Sequence, residues 1–435
     1  MTIPRDAIAR ILGKTRDYVR PERPDAPLSV LYGGAQLFTD QTFAKLGKLA
    51  TRAFSEHVRN DDDVCAIVGE ALRPLAQAVR ERVAEKLATR PLEDVRIDFE
   101  DGYGVRSGAD EDADAARVGQ VLGTALRDAP RWLGIRVKAF DRATSARAAR
   151  TLERVFQGIS QDTLPKGFVV TLPKVQRADD VRAFVELLGL VEEDRSLGAG
   201  SIGLELMIET SSALVSQSGA FAIPELLAAG AGRVTSLHLG AYDLLSACDV
   251  GASAQSLGHP ICTAARSLMV LSANGRARVV DGATTRLPLP KHRGENLGEA
   301  TLHENHVAML EAFGEHAQNV TAAHRTGIHQ GWDLHPAQLV ARYLATSAYY
   351  LGSLEASAAR LRGFVEQAAR ATAAGQTFDD AATAEGLVAF FAAGLSSGML
   401  REEDTRATGL LPQEFRAHDF SAMVARREPR SSGAT

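Results

Sequence analysis

Glu205 and Glu209 fall four residues apart in residues 201–210, Ser-Ile-Gly-Leu-Glu-Leu-Met-Ile-Glu-Thr, where apolar and acidic side chains alternate. Period-2 alternation marks an extended strand, so Leu204, Leu206 and Ile208 point to one face and Glu205, Met207 and Glu209 to the other. Carboxylates on a core strand are costly unless a cation meets them, and we expect a metal at the end of this strand. Other apolar runs end in charge too: Glu100 and Asp101, Arg136 and Lys138, Lys174, Asp243, Asp281 and His335. A hard divalent cation such as Mg2+ takes a few carboxylate oxygens and fills its shell with water and substrate oxygens. Glu209 and Asp243, on successive strands, are the natural ligand pair. Arg136 offers a planar fork for two-point contact with a substrate carboxylate or phosphate, and Lys174 a second anion contact.

Several of these residues have plainer readings. Glu205 lies a full pleat pair deeper than Glu209 and could pair with Arg136 or Lys138 inside the fold. Asp101 before Gly102 suits a turn or a helix start, and Asp281-Gly282 a turn. His335 before Pro336 suits the cap of a helix beginning at Ala337. His238, His303, His306 and His329 show no spacing of a metal site. No glycine-rich loop has the spacing that cradles phosphate, which argues against nucleotide binding of the P-loop or Rossmann type.

The elements that position these residues are short strands over 28–32, 95–100, 134–140, 167–172, 201–210, 234–239, 277–280 and 328–334. Helical stretches separate them; Leu72, Leu75, Val79, Val83 and Leu87, for example, share one helix face by their spacing of three and four. Eight strands alternating with helices predict a parallel sheet closed into a TIM (β/α)8 barrel. Glu100, Asp101, Arg136, Lys138, Lys174, Glu209, Asp243, Asp281 and His335 then sit at C-terminal strand ends, the rim where such barrels keep their active sites. Residues 1–27 read as an N-terminal helical lead-in ending in a proline-rich turn. The barrel follows over 28–345, then a C-terminal helical cap or arm over 346–425 with helices at 339–369 and 382–398. Residues 426–435, polar with Pro, Ser and Gly, read as a disordered tail.

Composition narrows the partners. The chain has 435 residues, 45% hydrophobic and 24% charged, with a formal net charge of -5. That balance describes an ordinary globular protein and argues against nucleic acid as the main partner. Cys65, Cys248 and Cys262 have no paired spacing, which suits a reduced compartment. The first twenty residues lack the apolar core of a signal peptide, and the longest apolar run, 386–395, is too short for a bilayer. A cytoplasmic protein without a membrane partner is the expectation.

Six blocks in order carry a resemblance. Asp98-Phe99-Glu100-Asp101-Gly102 resembles the Asp-x-Glu-Asp turn of the citrate lyase β-subunit-like family of the HpcH/HpaI aldolase and citrate lyase superfamily. Arg136-Val137 is similar to that family's Arg-Val-Asn strand, Leu172-Pro173-Lys174-Val175 to its Pro-Lys block, and Ile208-Glu209-Thr210 to its Ile-Glu-Thr. Gly240-Ala241-Tyr242-Asp243-Leu244 is similar to Gly-Ala-Glu-Asp-Leu, and Leu334-His335-Pro336-Ala337-Gln338 to Ile-His-Pro-x-Gln. The resemblance implies a trimeric or hexameric TIM barrel that uses Mg2+, or Mn2+ in its place, to make or break a carbon–carbon bond beside a carbonyl. The substrate would be a small 2-oxo or 2-hydroxy carboxylate, free or as a coenzyme A thioester; the alternatives are a phosphoenolpyruvate-handling enzyme of the same superfamily, with Lys138 and Lys174 on the phosphate, and a non-catalytic ligand-binding relative. By position, Glu209 and Asp243 match the metal ligands and Arg136 the arginine on substrate oxygen. Glu100 and Asp101 match acids near the metal that act through water. The chain departs from the pattern at Lys138, where the family has Asn, and at Tyr242, where it has Glu. The Asp-Gly-Lys-Met lid motif of thioester-specific members is absent from the sequence.

Overall fold

A computed structural model describes residues 26–124, 129–366, 372–374, 377–379 and 381–417. Eight parallel strands close a barrel in sequence order: β1 Ser29–Gly34, β2 Asp94–Asp98, β3 Trp132–Arg136, β4 Val169–Leu172, β5 Gly203–Ile208, β6 Val234–Leu239, β7 Arg278–Asp281 and β8 Gln330–Asp333. β8 returns to pair with β1, with Leu31 opposite Asp333. The expected TIM barrel is therefore present. The expected lead-in lies almost wholly, and the tail wholly, outside the described residues. After β1 the helices are Thr42–His57, Asp61–Val68 and Ala76–Thr89; of the helix face expected from Leu72 to Leu87, Val79, Val83 and Leu87 lie on the last, whereas Leu72 and Leu75 fall in Glu70–Leu75, a tighter 3-10 stretch holding Pro74. Pro lacks the N–H an α-helix needs, and Asn60 caps the second of these helices through its side chain.

Alternation along the strands sets two kinds of core. Outward residues such as Leu204, Leu206 and Ile208 pack under the helices, and all are fully buried. Inward residues fill the barrel, and here the chain is unusually polar. Arg96 on β2 makes a two-point contact with Glu205 across the barrel (2.7 and 2.6 Å) and also holds Asp94 (3.0 Å). Glu205 further accepts hydrogen bonds from Thr171 Oγ1 (2.7 Å) and Ser236 Oγ (2.6 Å) and meets His238 Nε2 at 3.1 Å. The alternatives of Arg136 or Lys138 as its partner are thus replaced by Arg96. The cause is register: β2 and β3 align Arg96 with Gly134 and Asp98 with Arg136, so Arg136 stands one layer nearer the mouth. Above this ionic layer lies an apolar one made of Val30, Tyr32, Met207, Val280, Ala283 and Trp332.

The C-terminal helices Gln338–Glu366 and Ala381–Ser397 match the expected ones within a few residues. Lys86 Nζ donates to Ser397 O (3.0 Å) and also meets Glu93, which accepts from Leu28 N ahead of the first strand. Arg82 ties Met399 O (3.1 Å) and Asp404 (2.9 Å) to the same flank. The last described helices therefore grip the side and N-terminal pole of the barrel, opposite the mouth. No described helix is long and apolar enough to cross a membrane.

Candidate active site at the barrel mouth

The acidic turn after β2 is built by Asp98. Its two oxygens accept the backbone N–H groups of Glu100 (3.0 Å) and Gly102 (2.7 Å), curling the chain back over the strand end. The same carboxylate takes Nε and Nη2 of Arg136, each at 2.6 Å. The planar fork expected to clasp a substrate is filled by Asp98 in this structure. Nη1 alone faces outward, at 3.2 Å from Glu100 and 3.1 Å from Asp101. Beneath it, the guanidinium lies over the rings of Tyr32 (5.1 Å) and Trp332 (5.3 Å). With 1% exposure, Arg136 is clamped from below and from one side.

Lys174 follows β4 with a left-handed backbone (φ 53), a conformation rare for a side chain of this size. The turn aims its N–H at Glu209 Oε1 (2.6 Å). Its ammonium reaches Glu100 (2.5 Å) and approaches Asp101 (3.7 Å) and Asp243 (3.8 Å). So Lys174, expected as an anion contact, instead touches all four mouth acids. Glu100, Asp101, Glu209 and Asp243, from β2, β5 and β6, converge as the strand-end pattern requires.

Their electrostatics follow from crowding. Burial pushes the Glu209 carboxyl up to about 7, and the neighbouring charge of Asp243 adds to the push. Burial likewise raises Glu100, helped by a hydrogen bond to Asp101. Asp101, despite its own burial, is held low by that bond and by the charges of Arg136 and Lys174. Of the two acids, Glu100 is therefore the one whose proton is held more tightly. Lys174 loses something to burial but is raised overall by Glu100, Asp101 and Glu209.

Gly240 lies against Glu209: a Cβ built there would overlap the Glu209 side chain. Gly240→Ala should therefore push Glu209 out of line and lower divalent-metal affinity at least ~10-fold, at a stability cost of ~1–3 kcal/mol typical of overpacking. Calorimetric titration with Mg2+ checks this, and unchanged affinity would contradict the close packing.

Other singled-out residues serve as struts. Asp281 binds Arg266 (2.7 Å) and its own turn through Gly282 N (2.9 Å). His335 Nδ1 accepts Ala337 N at 3.2 Å, the capping role expected, and Gln338 Oε1 accepts Leu334 N at 2.8 Å. Lys138 donates to Phe99 O (2.9 Å), and the Tyr242 hydroxyl to Ala283 O (3.2 Å). Thr210 caps the next short helix and donates to Val175 O (2.8 Å), tying β5 to the Lys174 loop. Among the described residues no three His, Cys, Asp or Glu side chains stand close enough to hold a metal by themselves. A cavity of about 500 Å3 opens beside Lys174, between the loops after β3 and β4, lined by Phe140, Asp141, Arg142, Val175 and Asp179 among others.

Residues 14–423 match the family described as a domain of unknown function, DUF6986. The chain belongs to that family. No curated protein matches the sequence of this DUF6986 chain. Among solved structures it is similar to a citrate lyase from Burkholderia xenovorans LB400, at 18% identity and a TM-score of 0.58, over 88% of this chain and 97% of that one. It is also similar to the protein CitE from Mycobacterium tuberculosis in complex with magnesium, acetoacetate and coenzyme A, at 16% identity and a TM-score of 0.48, over 88% and 99% of the two chains. The barrel that the six sequence blocks imply is the fold shared with the Burkholderia citrate lyase. Asp98, Tyr32, Trp332 and Gly240 were given no role from sequence, although Asp98 and Gly240 stand inside the blocks that signalled the site.

Proposed function

We propose that this DUF6986 protein is a Mg2+-dependent carbon–carbon lyase or aldolase acting on a small 2-oxo or 2-hydroxy carboxylate or its coenzyme A thioester. The observation that carries the reading is the placing of Glu100, Asp101, Glu209 and Asp243 around Lys174 at the C-terminal mouth, beside a clamped Arg136. The six sequence blocks and the barrel shared with a citrate lyase support it.

The donor set fits a divalent cation. Glu209 is 2% exposed, its Oε1 is oriented by Lys174 N–H, and Asp243 crowds it with like charge, an arrangement short of positive charge. Glu209 and Asp243 would hold Mg2+, and Mn2+ suits the same oxygens. When bound, the ion supplies the positive charge that stabilises an enolate oxygen. Arg136 presents Nη1 to a second substrate oxygen, its direction fixed by Asp98. Glu100 and Asp101 would pass a proton to, or take one from, the reacting carbon, directly or through water. Tyr32 and Trp332 exclude water from below Arg136. The cavity beside Lys174 leaves room for the longer arm of a thioester. In this reading the catalytic unit is the barrel, 28–345, with 346–425 as a helical arm, in a homo-oligomer.

Proton exchange tests the chemistry without naming the substrate. With Mg2+ in D2O, we expect deuterium to enter the carbon next to the carbonyl of pyruvate, oxaloacetate or acetyl-CoA, followed by NMR, and to stop on chelation. Bound Mg2+ with no metal-dependent exchange or cleavage across that panel and malate would defeat the proposal and favour a non-catalytic relative.

A further inference from the structure

We infer that the Lys174 ammonium is a tethered counter-cation for the mouth carboxylates, and that a divalent metal reaches Glu209 and Asp243 by displacing it into the neighbouring cavity. The inference rests on the proposed metal site and concerns how that site is kept before metal arrives. Lys174 is the vertex at which the four acids meet: its backbone N–H holds Glu209, and its Nζ lies 2.5, 3.7 and 3.8 Å from Glu100, Asp101 and Asp243. Five carboxylates stand at the mouth when Asp98 is included, against two cations, Arg136 and Lys174. If all are ionised the sum is -5 + 2 = -3. Without Lys174 that excess would rise to -4 in a partly closed site, a cost that crowded acids relieve by taking a cation or a proton.

Neither Arg136, the second cation among these acids, nor Lys138, which meets none of them, is free to exchange. Arg136 is locked by Asp98 and by two aromatic rings, and Lys138 is tied to Phe99 O and to Glu111 (3.5 Å). Lys174 differs. Its side chain is 35% exposed, and its four-carbon stem borders the 500 Å3 cavity. The lining of that cavity includes Asp141, Asp179 and Asp180 together with Arg142 and Arg177, so a displaced ammonium enters a polar, mixed-charge space. The left-handed backbone at Lys174 fixes the N–H to Glu209 while the side chain moves, so one residue can orient a ligand and vacate its site.

A competing internal cation lowers apparent metal affinity by the fraction of molecules in which it is already displaced. Lys174→Met should therefore bind Mg2+ at least ~10-fold more tightly than wild type by calorimetry, the size of one unfavourable pre-equilibrium. Its metal-free form should melt at a lower temperature, and Mg2+ should raise that temperature more than it raises the wild type's. Lys174→Gly, which suits the left-handed backbone, should show the same tightening and guards against misfolding of the Met variant. If both variants bind Mg2+ no more tightly than wild type, while wild-type binding is lost in Glu209→Gln, displacement is overturned and the metal site stands. If neither wild type nor variant binds Mg2+ or Mn2+, the metal site falls and this inference with it.

Discussion

Glu209→Gln is expected to abolish Mg2+ binding and to lower any metal-dependent turnover by ~10^3-fold or more, the scale of losing a central electrostatic stabiliser in a closed site. The amide keeps the shape of the side chain and an oxygen for the Lys174 N–H. It removes the charge that burial and Asp243 already oppose, so the variant should melt no lower than wild type. Asp243→Asn should lose metal likewise. Loss of metal with retained stability separates a ligand from a structural acid. Wild-type Mg2+ affinity in the Gln variant, measured by calorimetry on protein shown to be folded, would remove Glu209 from the metal site and with it the proposed chemistry.

The barrel was legible because its signal is repeated eight times. β6 occupies the expected residues 234–239, and the other strands fall within a few residues of expectation. β3 was read four residues too far, to 140, because burial of Val137 and Ala139 continues the alternation after the ladder ends at Arg136. The position of the site was legible too, since charge at the end of an apolar run marks a rim whatever its partners. The partners were not. Glu205 meets Arg96, three strands away around the barrel, and such pairing depends on register and stagger that no local pattern contains. The turn of Lys174 into a left-handed conformation has no residue-type signal, as glycine would give, so its contacts with acids could not be anticipated. Asp98 could have been assigned: an Asp ahead of Glu-Asp-Gly, with Arg136 in register on the next strand, suits both a turn and a paired guanidinium.

Beneath the mouth, Arg96→Met tests whether the ionic layer is structural. Arg96 is 1% exposed and is the two-point partner of Glu205 while also holding Asp94. Removing it strands two carboxylates in the barrel interior, which typically costs ~3–5 kcal/mol. The cost should fall toward the lower figure, because Thr171, Ser236 and His238 still hold Glu205 and the charge of Arg278 already bears on both acids. A lower urea midpoint with unchanged slope is the expected measurement. Adding Asp94→Asn and Glu205→Gln to Arg96→Met should recover most of the loss, since a neutral layer no longer buries unpaired charge. Function should follow stability by a physical route. Glu205 meets His238, whose Nδ1 lies 3.2 Å from the Tyr32 hydroxyl, and the Tyr32 ring supports Arg136 from below. A wild-type urea midpoint for Arg96→Met would mean that the layer contributes no net stability. Where Arg96→Met does lose stability, lowered turnover in the stability-restored triple variant would identify the chain from Glu205 to Tyr32 as the support that keeps Arg136 aimed.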